Sequence, residues 1–202
     1  MADPNYFWDS CVFSAYLCDQ AEQYDIPSLE QYLDEAKAGK CSIYSSSLAM
    51  VEVLPSKMVK AEDFNAFVED FQGAIVLIDA TPNVMALAAS LRDLPYRKHQ
   101  SNRVLTSPDS IMLATAVHMA DAYQTPIDEF HTFDKGRKPD ADGNRTVPML
   151  GFEEWCDGFT DEHLVVAQPV IDLTRRMPVH PAPQLGLANA PVQAEEQPQA
   201  GP

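Results

Sequence analysis

Four carboxylates occupy positions in the sequence at which a fold could bring them together. Asp9 comes directly after a short apolar run that predicts a buried strand, and Asp134 comes directly after a second predicted strand at residues 129–133. Asp109 stands in the first turn of a predicted helix, and Glu52 lies within a short apolar helix, on a face expected to point inward. Carboxylates gathered in one place repel one another, and hard divalent cations such as Mg²⁺ or Mn²⁺, which take oxygen ligands, relieve that repulsion. The four acids are therefore candidate metal ligands.

Each acid also has a purely structural explanation. Aspartate is a favoured N-cap, so Asp9 could simply cap the helix that follows it. Acids in the first turn of a helix are stabilising by ~0.3–1 kcal/mol, which would account for Asp109 and Asp134. Glu52 is harder to explain in this way, because burying an unpaired carboxylate costs several kcal/mol. The local sequence leaves both interpretations open.

Short apolar runs alternate with amphipathic stretches along most of the chain. The runs predict strands at residues 6–8, 41–44, 74–78, 129–133 and 164–166. Apolar periodicity and capping residues predict helices at residues 11–17, 29–38, 48–54, 61–71, 82–94, from 107 onward, and at 152–159. The alternation predicts an α/β fold, a three-layer α/β/α domain with a central and mainly parallel sheet. Such sheets bind ligands beyond the carboxyl ends of their strands, where Asp9 is expected.

The composition of the chain changes at about residue 178. Residues 1–177 have the mixture of apolar and charged residues expected of one domain with a substantial core. Residues 178–202 are mostly Pro, Ala, Gln and Gly and contain no aromatic residue. Because such a segment cannot bury enough apolar surface to order itself, it is predicted to be a disordered tail.

Charge and cysteine content constrain the environment of the protein. With 30 acidic and 14 basic residues, the net charge is −16, so binding of nucleic acid through overall positive charge is excluded. A local basic patch, a metal that uses the acids, or a basic partner protein would each be compatible with this charge. No membrane span or secretory signal is expected. The cysteines lack Cys-x-x-Cys spacing, which predicts reduced thiols in the cytoplasm, with Cys11 and Cys18 packed in the core.

Four short motifs, each with one of the four acids, follow one another within residues 5–173. They read Tyr6-Phe7-Trp8-Asp9-Ser10, Ile43-Tyr44-Ser45-Ser46 with Glu52-Val53-Leu54, Ser107-Pro108-Asp109-Ser110-Ile111, and His131-Thr132-Phe133-Asp134. In their order and spacing, these motifs resemble those of the PIN-domain nucleases. The resemblance implies a compact PIN-like α/β/α domain and Mg²⁺- or Mn²⁺-dependent cleavage of RNA. Many similar small proteins are ribonuclease toxins of bacterial toxin–antitoxin pairs.

The resemblance also implies roles for individual residues. It assigns metal binding and catalysis to Asp9, Glu52, Asp109 and Asp134. It assigns supporting roles to the hydroxyl residues Ser10 and Thr132. The metal ions would activate a water molecule for attack on an RNA phosphodiester and would neutralise charge on the leaving oxygen. An antitoxin or another protein partner, and a homodimer, are further expectations from the family.

Seven of the 14 basic residues lie in two loops beside Asp109 and Asp134. They are Arg97, Lys98, Arg103, Lys135, Arg137, Lys138 and Arg145. A phosphate backbone bound at the acids would need cations in these places, so these residues are candidate RNA contacts. Loops are commonly polar, however, so the same residues could simply be solvated. Tyr96 is either a candidate for stacking on a base or an ordinary surface aromatic.

Two other functions fit parts of the sequence. A PIN-like module that binds a protein partner or RNA without cutting it would fit the strong acidic charge and the tail. A phosphatase or phosphotransferase of another doubly wound fold could use Asp9 as a nucleophile. The chain has Asp9-Ser10-Cys11, however, where haloacid-dehalogenase-like enzymes of this kind have Asp-x-Asp. The leading hypothesis is therefore a metal-dependent endoribonuclease.

Overall fold

The computed structural model describes residues 3–136 and 145–181. Seven strands occur in these residues: β1 (Asn5–Trp8), β2 (Ser42–Ser46), β3 (Ile75–Ile78), β4 (Arg97–Lys98), β5 (Ser101–Asn102), β6 (Glu129–His131) and β7 (Arg175–Arg176). Five of them form one parallel sheet in the order β3-β2-β1-β6-β7, and β4 and β5 form a separate antiparallel hairpin. The predicted central parallel sheet is confirmed.

Helices connect and flank the strands of the sheet. They are α1 (Ser10–Leu17), α2 (Ile26–Lys37), α3 (Ala49–Glu52), α4 (Phe64–Glu69), α5 (Pro82–Arg92), α6 (Ser107–Ala122) and α7 (Asp161–Ile171). Two short 3-10 helices cover Pro55–Lys57 and Phe152–Trp155. Helix α1 contacts α2, whereas α5, α6 and α7 contact one another. No helix in the described part of the chain is long and apolar enough to cross a membrane.

The central strands are held by aromatic packing. In β1, Phe7 stacks on Phe130 of the neighbouring β6 with ring centroids 5.1 Å apart. Trp8 packs against Phe13 of α1 at 5.3 Å. All four of these side chains are fully buried. Because β1 is paired on both sides, its carboxyl end is fixed between β2 and β6, and Asp9 is fixed with it.

The predicted strand at residues 164–166 is wrong, because these residues lie inside α7. The side chain of Thr160 accepts a hydrogen bond from the backbone of His163, and the His163 side chain accepts one from the Thr160 backbone, which caps the helix. Val165 is 78% exposed, as expected for a residue on the outer face of a helix. A run of three apolar residues cannot by itself distinguish a strand from a helix. The last strand of the sheet is instead β7.

Several element boundaries also differ from those predicted. Helix α2 begins at Ile26 rather than at residue 29, because Asp25 and not Ser28 is its N-cap. The Asp25 carboxylate accepts hydrogen bonds from both the backbone and the hydroxyl of Ser28. The predicted polar loop at residues 95–106 contains the β4–β5 hairpin. The predicted helix at 152–159 is a single 3-10 turn.

The first residues of the predicted tail pack against α2. Pro178 is buried, and the backbone of His180 donates to Ser28 Oγ at 3.1 Å. The imidazole of His180 lies 3.2 Å from a carboxylate oxygen of Glu35. The chain is therefore held to the domain as far as His180, and residues 182–202 lie outside the described part.

Candidate metal centre

Asp9 and Asp134 stand at the carboxyl ends of two neighbouring parallel strands. Asp9 immediately follows β1, and its backbone N–H donates to the carbonyl of His131 at the end of β6, at 3.0 Å. Asp134 comes three residues after His131. Because β1 and β6 run in the same direction, both acids reach the same edge of the sheet. This is the edge at which the sequence predicted them.

The carboxylate of Asp9 is almost fully buried, with 5% of its surface exposed. Its Oδ2 accepts hydrogen bonds from Thr132 Oγ1 at 2.7 Å and from Cys11 Sγ at 2.9 Å. Its Oδ1 lies 3.3 Å from Ser10 Oγ. Asp9 also precedes α1, but its side chain makes no capping hydrogen bond to that helix. Simple N-capping therefore does not account for Asp9.

Asp134 is held by the loop that follows it. Its Oδ1 accepts a hydrogen bond from the backbone of Gly136 at 2.8 Å, and its Oδ2 accepts one from the backbone of Met149 at 3.0 Å. Gly136 has φ +60°, and a Cβ there would lie 2.7 Å from the guanidinium of Arg103. Only glycine fits this turn without displacing Arg103. The turn thus fixes the Asp134 carboxylate beside the sheet edge.

Asp109 and Glu52 belong to two helices, α6 and α3. Asp109 lies in the first turn of α6, and its Oδ2 accepts a hydrogen bond from Thr106 Oγ1 at 2.6 Å. Thr106, not Asp109, is the N-cap of this helix. Glu52 is the last residue of the short helix α3 and is half-buried, and its interaction with the Ser10 side chain lowers its pKa against the effect of burial. Ser10 therefore influences two of the four acids.

Electrostatic interactions connect the four carboxylates. Burial raises the pKa of Asp109 to about 7, although the hydrogen bond from Thr106 lowers it. The negative charges of Asp9, Asp134 and Glu52 raise this pKa further. Burial also raises the pKa of Asp9, with a further contribution from the charge of Asp134. Burial and the charge of Asp9 raise the pKa of Glu52. The folded chain has thus brought like charges together in a poorly solvated place, which is unfavourable without a cation.

The donor chemistry of this cluster fits a hard divalent cation. Its oxygens come from carboxylates and hydroxyls, and Mg²⁺ and Mn²⁺ prefer such ligands. Within residues 3–136 and 145–181, no group of three or more His, Cys, Asp or Glu side chains is placed so that it could hold a metal ion. Carboxylates repel one another when no cation lies between them. A bound ion would therefore have to draw these side chains closer together.

Three of the predicted RNA contacts are engaged with other protein groups. Arg97 Nε donates to the carbonyl of Asp157 at 2.8 Å, and Lys98 forms an ion pair with Glu154. Arg103 donates to the carbonyl of Thr146 at 2.9 Å, and its guanidinium lies 3.9 Å from the ring centre of Trp155. Arg103 thus has a structural role in joining its loop to the loop after Asp134.

The other predicted RNA contacts are placed differently. Lys135 and Arg145 are exposed, and Lys135 is adjacent to Asp134 in the chain. Arg137 and Lys138 lie outside the described residues. Tyr96 is only 1% exposed, and its hydroxyl donates to the carbonyl of Leu91 at 2.8 Å, so the predictions of base stacking and of a surface position are both wrong.

Cys11 belongs to the cluster although its sequence did not single it out as a site residue. It packs partly buried against the core, as predicted, and its thiol also contacts Asp9 and Thr132. Its position two residues after Asp9, in the first turn of a predicted helix, was the available signal. That signal is weak, because free cysteine is usually buried as a small apolar residue.

No protein-family model, curated protein or solved structure matches this chain.

Proposed function

We propose that this protein is a PIN-like, metal-dependent endoribonuclease that hydrolyses RNA phosphodiester bonds with Mg²⁺ or Mn²⁺. The observation that carries the proposal is the convergence of four carboxylates from four separate elements at one edge of the sheet. Burial, with a further contribution from the charges of the other three acids, raises the pKa of Asp109 to about 7, whereas a solvated aspartate ionises near pH 4. Such a cluster of carboxylates lowers the stability of the folded chain, and groups with perturbed pKa values are concentrated at functional sites, such as a cation site.

The residues of the cluster would divide the work. Asp9, Glu52, Asp109 and Asp134 would hold the divalent ion, and Ser10 and Thr132 would orient the carboxylates. When bound, the ion supplies an activated water molecule and neutralises charge on the leaving oxygen. The chain itself would position the phosphodiester and exclude bulk water from the buried Asp9 side of the site. In this scheme no protein side chain acts as a covalent nucleophile.

Exposed cations beside Asp134 would bind the RNA backbone. Lys135 is the best candidate, because it is exposed and adjacent to one of the acids. We expect Lys135→Ala to weaken RNA binding and to reduce the slope of log K against log salt concentration by about 0.7, the value for one phosphate contact on a single strand. Fluorescence anisotropy with labelled RNA in EDTA measures both effects. An unchanged slope would remove Lys135 from the proposed interface.

Arg103→Ala is the matched comparison for this measurement. Because Arg103 donates to a backbone carbonyl and packs on Trp155, its replacement should lower the thermal midpoint of unfolding. Lys135→Ala should leave that midpoint unchanged, since the side chain is exposed. The two variants separate a lost RNA contact from a lost structural contact.

A second candidate function is a PIN-like module that binds RNA or a protein partner without cutting. The specific observation in its favour is that the side chains of Arg97, Lys98 and Arg103 are already engaged with other groups of the same chain. The net charge of −16 also favours a basic partner over bulk RNA binding.

The deciding experiment uses purified full-length protein and end-labelled single-stranded RNA. We expect cleavage in Mn²⁺ or Mg²⁺ and none in EDTA, with single-stranded DNA of the same sequence as the comparison substrate. Circular dichroism confirms that the protein is folded in each buffer. If the folded protein cuts RNA in neither metal, the nuclease proposal fails and the binding module becomes the better explanation.

A further inference from the structure

The thiol of Cys11 contacts one candidate metal ligand, Asp9, and the backbone next to another, Asp134. Cys11 is in the first turn of α1, and its Sγ donates to Asp9 Oδ2 at 2.9 Å. The same sulfur accepts a hydrogen bond from the backbone N–H of Phe133 at 3.2 Å. Phe133 immediately precedes Asp134. One side chain thus connects the carboxylate of Asp9 to the backbone that carries Asp134.

Thr132 makes a second connection of the same kind. Its Oγ1 donates to Asp9 Oδ2 at 2.7 Å and accepts a hydrogen bond from the backbone N–H of Asp134 at 3.0 Å. The sulfur of Cys11 lies 3.5 Å from this hydroxyl. The Asp9 carboxylate and the start of the Asp134 loop are therefore joined through two parallel donor–acceptor pairs.

The two oxygens of Asp9 consequently have different environments. Oδ2 receives two side-chain donors, at 2.7 and 2.9 Å. Oδ1 has a longer hydrogen bond, at 3.3 Å, from Ser10 Oγ. A cation that approached Asp9 would compete with two short hydrogen bonds at Oδ2 but only with a weak side-chain bond at Oδ1.

We propose that Cys11 is a positioning residue of the proposed metal centre: with Thr132 it holds Oδ2 of Asp9 at a fixed separation from Asp134, so that Asp9 presents Oδ1 to the ion. The inference rests on the proposed function for the identity of the ion. A cysteine that only filled space would need no such arrangement.

Three variants test this role. Cys11→Ala removes the donor, Cys11→Ser keeps a donor of nearly the same size, and Cys18→Ala makes the same chemical change at the other end of α1. Free Mn²⁺ is titrated by electron paramagnetic resonance against each full-length protein. We expect Cys11→Ala to weaken Mn²⁺ binding by about tenfold, as is usual when a group supporting a metal ligand is lost. Cys11→Ser and Cys18→Ala should stay near the wild-type affinity.

A second measurement needs no metal. In EDTA, amide hydrogen exchange at Asp134 reports whether the loop that begins there keeps its hydrogen bonds. The Asp134 amide donates to Thr132 and not to Cys11, so it reports an indirect effect of the substitution. We expect exchange at Phe133 and Asp134 to be about fivefold faster in Cys11→Ala, the effect of losing one modest hydrogen bond. Cys11→Ser should restore the slow exchange. A purely space-filling cysteine would not produce this rescue.

The outcomes separate the two proposals. If wild-type protein binds Mn²⁺ and cleaves RNA while Cys11→Ala matches it in Mn²⁺ affinity and in Asp134 exchange, the positioning role is overturned and the nuclease stands. If the wild type neither binds Mn²⁺ nor cleaves, the proposed function fails, and the role of Cys11 at a metal centre fails with it. Weaker Mn²⁺ binding in Cys11→Ala with rescue by serine supports both.

Discussion

Replacing Asp9 by Asn is expected to lower Mn²⁺-dependent RNA cleavage by more than about 100-fold, the upper end of the loss caused by removing a group that merely supports a metal ligand. The neutral amide keeps the size of the side chain but removes the charge that would bind the cation. Because burial already raises the pKa of Asp9, the substitution should not unfold the protein. Cleavage rates of labelled RNA at saturating Mn²⁺, with a thermal melt as the folding control, measure the effect.

Asp79→Asn is the matched control for this prediction. Asp79 also follows a strand, but β3 is the edge strand of the sheet and the carboxylate is exposed. The Asp79→Asn variant should therefore cleave RNA at the wild-type rate. Full Mn²⁺-dependent activity in a folded Asp9→Asn protein would rule out Asp9 as a required metal ligand.

Replacing Asp109 by Asn is expected to stabilise the metal-free protein at pH 8, on the order of 2–4 kcal/mol, while abolishing cleavage. The folded-state pKa is about 7, and one pKa unit corresponds to about 1.4 kcal/mol. The opposite expectation follows if Asp109 is only a favourable acid in the first turn of α6, since its loss would then cost ~0.3–1 kcal/mol. Urea unfolding in EDTA distinguishes the two by sign.

The pH dependence of this effect follows from linkage. Below about pH 4 the carboxyl of Asp109 is protonated in both the folded and the unfolded chain, so it causes no penalty. As the pH rises from about 4 to about 7, the unfolded chain releases the proton while the folded chain retains it, and stability is lost. The advantage of Asp109→Asn should therefore be absent near pH 4, grow up to about pH 7, and be constant above it.

Asp161→Asn provides the matched comparison. Asp161 also stands in the first turn of a helix, α7, but it is exposed and lies outside the cluster. Its replacement should be slightly destabilising at pH 8, as the helix dipole predicts.

Adding Mn²⁺ should stabilise the wild type more at pH 8 than at pH 5.5, because the ion competes with protons for the carboxylates. If Asp109→Asn behaves like Asp161→Asn, an unfavourable burial of the Asp109 charge beside the other acids is refuted.

Local sequence was sufficient to locate the two acids at the sheet edge. An acid that follows a predicted strand marks the end of that strand; Asp9 directly follows β1, and Asp134 lies three residues beyond the end of β6. Thr132 was predicted from the family resemblance, and its hydroxyl does contact Asp9. The positions of these residues along the chain follow from short-range backbone geometry, namely the end of a strand and the residue beside it, whereas their metal-binding and supporting roles stay predictions.

Other features depended on contacts between distant residues. Tyr96 and Arg103 have the residue types of a nucleic-acid surface, yet packing against residues 152–159 makes them structural. The helix at residues 161–171 was decided by its cap and by burial of one face, which three consecutive apolar residues do not reveal.

The contacts of Cys11 show why the sequence alone could not predict such features. Its partner Asp9 is two residues away, but Phe133 is 122 residues away, and only the pairing of β1 with β6 brings them together. The sequence by itself determined that the sheet is parallel and which acids follow two of its central strands. Tertiary structure alone decided which neighbours hold those acids and how strongly their charges interact, because hydrogen bonding and burial act between elements that are far apart in the chain.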